Sequence, residues 1–165
     1  MAMMETEELV ETIEERSDYE IERGKPVPSK KHAIAQTQFV IAFYRNYEEK
    51  FRVLTEATLD LGNCKPTPDI CVYPKSEISW EGDEVRLTKM PLLTIEILSP
   101  KQALSDLEDK VEDYLAAGVK SCWIVLPSLS EIVVYHKGQK PKVVTEGDVK
   151  DDVIGVTVSV EEIFR

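Results

Sequence analysis

Leu92-Leu93-Thr94-Ile95-Glu96-Ile97-Leu98 is an apolar run with one carboxylate near its middle. Apolar side chains at both alternating positions describe a strand buried on both faces, as in the centre of a sheet covered by helices. An ionised glutamate is almost never fully buried unless paired or metal-bound, because desolvating the charge is expensive. Twenty-seven residues upstream, Pro68-Asp69 opens a second apolar run, Ile70-Cys71-Val72-Tyr73. Two strands that each bring a carboxylate to one point make a site for a divalent cation.

Downstream, Ser99-Pro100 closes the Glu96 strand, and the spacing predicts a helix over 102–117. Its stripe is Leu104, Leu107, Val111, Tyr114 and Leu115, and Gly118 stops it. Ser121 to Leu126 reads as another apolar strand, turned by Pro127-Ser128 into an antiparallel partner, Glu131 to Tyr135. The strand–helix–strand crossover over 92–126 predicts an α/β fold with a mixed central sheet flanked by helices. Lys140–Thr145 and Gly155–Val160 add antiparallel edge strands, with a last helical turn at Val160–Phe164.

Upstream, residues 75–90 are polar, with Gly82 and an exposed-looking Trp80, and predict a loop or small peripheral hairpin. Phe51 to Leu61 suggests a strand, ended by Gly62-Asn63. Lys65-Pro66-Thr67-Pro68 cannot donate regularly to a ladder and leads straight into Asp69. Ser29 is positioned to cap a helix over 30–47, with Ile34, Ala35, Phe39, Ala42 and Phe43 buried. Tyr19-Glu20-Ile21-Glu22 alternates like a strand before the turn Arg23-Gly24-Lys25-Pro26. Residues 5–15 have helical spacing, with Leu9, Val10 and Ile13 on one side.

At 165 residues and 42% hydrophobic, the chain suits one domain over 1–165, with 1–17 as an appended acidic helix. No apolar stretch is long enough for a membrane helix, and the acidic start does not read as a secretory signal. Cys64, Cys71 and Cys122 are odd in number and lack CxxC spacing, so they read as core residues of a cytoplasmic protein. The net charge of −11 is unevenly spread. Residues 1–22 hold nine acids against Arg16 alone, leaving the other 143 residues at only −3. Acidity is therefore a mild argument against a nucleic-acid partner, and no basic stripe argues for one.

The string from Pro68-Asp69 through Glu96-Ile97-Leu98-Ser99-Pro100 continues into Asp106-Leu107-Glu108-Asp109-Lys110, Tyr114, Gly118-Val119 and Trp123-Ile124-Val125. With Tyr19-Glu20-Ile21, Gly24, His32 and Ile154-Gly155-Val156, it resembles the Uma-type restriction endonuclease family of the PD-(D/E)XK nuclease superfamily. The resemblance covers most of the chain. It implies a restriction-endonuclease-like core and Mg²⁺-dependent hydrolysis of DNA, with Mn²⁺ as an alternative ion. Asp69 and Glu96 would hold the metal, helped by the backbone carbonyl of Ile97. The lysine that the superfamily places two residues after the glutamate is Leu98 here. The family takes a lysine from the following helix instead, and Lys110 fits that place. On a helical wheel Lys110 lies about 40° from the edge of the apolar stripe, so its stem could reach over the sheet. Asp106, one turn earlier, could hold it, and Glu20 and His32 are accessory candidates. Small nucleases of this kind often cut both strands as dimers, so the resemblance implies a homodimer.

Each residue also has a plainer reading. Asp69 reads as a solvated turn carboxylate, Glu96 as half of a structural bridge to an arginine, and Lys110 as an exposed partner of Asp106. Glu20 could be an exposed strand residue, His32 could bond only within its own first turn, and His136 reads as surface. Trp123 and Tyr114 read as core. The alternative function is a nuclease-fold module that binds nucleic acid or a protein without cutting.

Overall fold

A computed structural model describes residues 18–165, so the helix expected over 5–15 lies outside the described residues. The first element corrects the sequence reading. Residues expected as a strand form a short helix, α1 (Asp18–Arg23). The Gly24 amide donates to the Glu20 carbonyl at 2.9 Å, and Gly24 sits at φ +63, a left-handed stop that glycine tolerates. Four alternating residues are too few to outweigh that local closure.

Helix α2 (Lys30–Tyr47) begins at Ser29, whose Oγ accepts the His32 amide at 3.2 Å. Such a cap is worth about 1 kcal/mol. Its buried face is His32, Ala35, Phe39, Ala42 and Phe43. Ile34, expected inside, is 44% exposed because it lies across the helix from that stripe, and His32 takes the inward place. The strand expected over 51–61 is broken in two. Strand β1 (Phe51–Thr55) ends at Glu56, a non-glycine residue at φ +56, and β2 (Thr58–Leu59) follows. Strand β3 (Ile70–Pro74) comes next, and β4 (Arg86–Leu87) pairs in parallel with β2 rather than closing a hairpin within 75–90. Trp80 is exposed, as expected.

Strand β5 (Leu93–Ile97), helix α3 (Leu104–Ala116) and strand β6 (Ser121–Leu126) form the crossover. A single 3₁₀ turn over Pro127–Leu129 leads to β7 (Glu131–Tyr135), followed by β8 (Lys142–Val144). Strand β9 (Asp148–Asp151), which has no sequence-level forecast, pairs with β10 (Val156–Ser159), and α4 (Val160–Ile163) closes the chain.

The main sheet has six strands in the order β1-β3-β5-β6-β7-β8. Only β5 and β6 run in parallel, as the helical crossover requires; the other neighbours are antiparallel. Alternation divides the core. Ile70, Val72, Ile95, Ile97 and Trp123 pack with Phe39 and Phe43 of α2, while Cys71, Cys122 and Ile124 pack with Leu107, Val111 and Tyr114 of α3. Cys64, read as a core residue, is instead half-buried outside both clusters. No described helix is long and apolar enough to cross a membrane.

Candidate active site

Asp69 stands one residue before β3. The β3–β5 pairing sets Ile70 against Ile95, and one further step of that register sets Asp69 against Glu96. With Ile95 and Ile97 turned to the α2 side, Glu96 faces α3, where Tyr114 donates its hydroxyl hydrogen to Glu96 Oε1 at 2.7 Å. Glu96 is 2% exposed. Burial pushes its carboxyl up to about 7; Lys110 and Tyr114 oppose that shift, and the Asp69 charge adds to it.

Asp69 is equally buried but the opposite electrostatically. Its Oδ1 meets Lys25 Nζ at 3.0 Å, while Oδ2 takes the Ile97 amide hydrogen at 2.7 Å and lies 3.1 Å from His32 Nε2. Burial alone would raise Asp69, yet His32, Lys25 and the Ile97 amide outweigh it and hold the carboxyl below its ordinary value. The plain role assigned to His32 is thus incomplete: its backbone serves the helix cap and its ring reaches the aspartate. His32 Nδ1 is buried without a hydrogen-bond partner.

Lys25 is a site residue that the sequence pattern does not single out. Its side chain is only 8% exposed, and its ammonium lies 2.7 Å from Glu56 Oε2 and 3.2 Å from the Thr67 carbonyl, besides Asp69. Burial opposes its charge, but Asp69 and Glu56 together hold its pKa above the ordinary lysine value. Glu56 is the residue at positive φ, a conformation that persists only where the surroundings enforce it. Gln36 of α2 bridges the arrangement, donating to the Asp69 carbonyl at 3.0 Å and to Glu56 Oε1 at 3.4 Å.

Asp69, Glu96, Ile97, His32 and Lys110 line one cavity together with Lys25. Its space for solvent is about 10 Å³, roughly that of one water molecule. Glu20 and Asp106 are not brought there. Glu20 lies along a neighbouring cavity with Lys25 and Lys101, and its Oε1 is 3.4 Å from the Val27 amide. Asp106 is exposed and forms no ion pair with Lys110. The acid that shares Lys25 with Asp69 is Glu56, and among the described residues no arginine meets Glu96. The signals for Lys25 and Glu56 in sequence are slight: a lysine between a helix-stopping glycine and a proline, and an acid at an unannounced break in a strand.

A separate polar cluster corrects the surface reading of His136. Its Nε2 lies 3.0 Å from both Ser121 Oγ and Asp151 Oδ1. Trp123 Nε1 donates to Asp151 Oδ2 at 2.9 Å, and the Val153 amide donates to Asp151 Oδ1 at 3.1 Å. Both serine and carboxylate meet the same ring nitrogen, so this is not a nucleophile–base–orienter relay. It ties the β9–β10 hairpin to the main sheet.

The donor set suits a hard cation. Among the described residues no three His, Cys, Asp or Glu side chains form a metal cage. Two carboxylates facing one small cavity are what Mg²⁺ uses, since it retains several waters and tolerates few protein ligands. Glu96, whose ionisation the metal-free protein opposes, would be relieved by such an ion.

The chain matches the model of the Uma2 family, described as "Putative restriction endonuclease", over residues 5–161. No curated protein matches it. Among solved structures it is similar to the crystal structure of "a putative nuclease belonging to DUF820" from Anabaena variabilis ATCC 29413. That likeness has 26% identity and a TM-score of 0.75, covering 85% of this chain and 83% of the other. The matched segment spans the paired carboxylates, the crossover helix and the closing hairpin, and on that extent this chain belongs to the Uma2 restriction endonuclease family.

Proposed function

We propose that this protein is a Mg²⁺-dependent endonuclease that hydrolyses DNA phosphodiester bonds, with Mn²⁺ able to substitute. One observation carries the reading: Asp69 and Glu96 face each other across adjacent strands, with Lys110 lining the same cavity. Asp69, Glu96 and the Ile97 carbonyl would hold the ion. When bound, the cation lowers the pKa of a coordinated water and neutralises charge on the phosphate.

The remaining work falls to the chain. His32 and the Ile97 amide hold Asp69 Oδ2, which fixes the direction of the other carboxylate oxygen. Tyr114 holds one oxygen of Glu96 and leaves the other for the cavity. Lys110 comes from α3, where its ammonium would orient the attacking water or meet charge developing on the phosphate. The cavity is too small for a phosphodiester, so the substrate would approach from its mouth. Double-strand cleavage would call for a homodimer.

Nicking of supercoiled plasmid DNA tests this directly. Cleavage should require Mg²⁺ or Mn²⁺, stop with a chelator, and vanish in Asp69→Asn and Glu96→Gln. A folded, metal-binding wild-type protein that leaves single- and double-stranded DNA intact would overturn it and favour the non-cutting module. Sedimentation with and without DNA would report the assembly.

A further inference from the structure

Lys25 completes an oxygen cluster that already looks like a cation site: Asp69 Oδ1 at 3.0 Å, Glu56 Oε2 at 2.7 Å and the Thr67 carbonyl at 3.2 Å. We propose that Lys25 is a resident counter-cation of the metal site, shared between Asp69 and Glu56, which must yield Asp69 when a divalent cation binds. This rests on the metal-dependent reading above.

Three observations support it. The ammonium bonds to the Asp69 oxygen that His32 and Ile97 leave open, so it occupies the side from which an ion would approach. The cavity holds only about one water's worth of space, so room for a hydrated ion must come from a side chain that moves. Glu56 gives the lysine a second carboxylate to keep, at a shorter distance than the first, and Gln36 braces that carboxylate. Lysine suits the task because its ammonium is a point charge on a flexible stem, which can shift without breaking a bidentate geometry. The strained backbone at Glu56 is then explained by the need to aim its carboxylate at Lys25.

The two partners should act on metal affinity with opposite signs. Lys25→Met removes the competitor, and Mg²⁺ should bind about tenfold more tightly by calorimetry. Glu56→Gln removes the alternative berth, leaving Lys25 on Asp69, and binding should weaken by about the same factor. Through-space charge alone would produce those signs too, so the deciding measurement is a double-mutant cycle. In the Lys25→Met background, Glu56→Gln should change the affinity by clearly less than it does in the wild-type background, because Glu56 no longer draws Lys25 off Asp69. Circular dichroism establishes that each variant is folded.

Additive effects in the cycle, or Lys25→Met binding Mg²⁺ no more tightly than wild type, would overturn the proposal while leaving the nuclease reading intact. A wild-type chain that takes up no divalent cation would overturn both.

Discussion

Asp69 Oδ2 accepts the backbone hydrogen of Ile97 at 2.7 Å, so the residue directly after Glu96 fixes the carboxylate of the neighbouring strand. The two acids are therefore coupled through the backbone as well as through charge. They are nevertheless unequal: one is stabilised as an anion and the other is opposed.

Glu96→Gln should stabilise the metal-free protein, increasingly as pH rises. The folded state raises this carboxyl to about 7, so its favourable contribution is complete below the unfolded value, near 4.5, and is lost as pH climbs through 7. At pH 8 the variant should exceed wild type by on the order of 3 kcal/mol, and at pH 4 by little. Urea melts at the two pH values check this; equal gaps would show that Glu96 ionises without opposition.

Asp69→Ala should destabilise the metal-free protein. It strands a buried ammonium, a buried imidazole and the Ile97 amide together, and a loss of about 3–5 kcal/mol is the scale for breaking one side of a buried charge pair. Because the carboxyl is depressed in the folded state, its contribution is present above the unfolded value, near 3.8, and fades as pH falls through the lower folded value. The gap between variant and wild type should accordingly shrink in acid, as thermal melts from pH 7 to pH 2 would reveal.

Lys110→Met keeps the stem and removes the charge. Metal binding should survive, while cleavage should fall about a hundredfold or more, the scale of losing one transition-state donor. Cleavage at the wild-type rate under saturating Mg²⁺ would remove Lys110 from the chemistry. Metal-free Glu96 should also titrate higher in this variant, since Lys110 is the main group opposing its rise.

Asp151→Ala should cost about 2–4 kcal/mol, because Trp123 Nε1, the Val153 amide and His136 lose their shared acceptor inside the fold. The site lies elsewhere, so Mg²⁺ affinity of the folded variant should be unchanged. Hydrogen exchange should show the loss concentrated in the β9–β10 hairpin.

The local pattern of the chain determined most of the architecture. Two-faced apolar runs marked β3, β5 and β6, and a 3.6-residue stripe closed by Gly118 marked α3. Ser29 marked the start of α2. These signals are legible because burial is periodic, and a strand covered on both faces tolerates few polar residues. The same logic singled out Glu96, a charge where desolvation forbids one without a reason. Only the tertiary structure decided what surrounds that charge. The separations of 28 positions between Asp69 and Ile97, and of 44 between Lys25 and Asp69, carry no periodic mark of their meeting. Lys25 and Glu56 sit in a turn and at a strand break, where local sequence leaves side-chain direction open. Their placement comes from sheet register and from the packing of α2 across it, which pairwise distance in the folded chain sets and linear spacing does not.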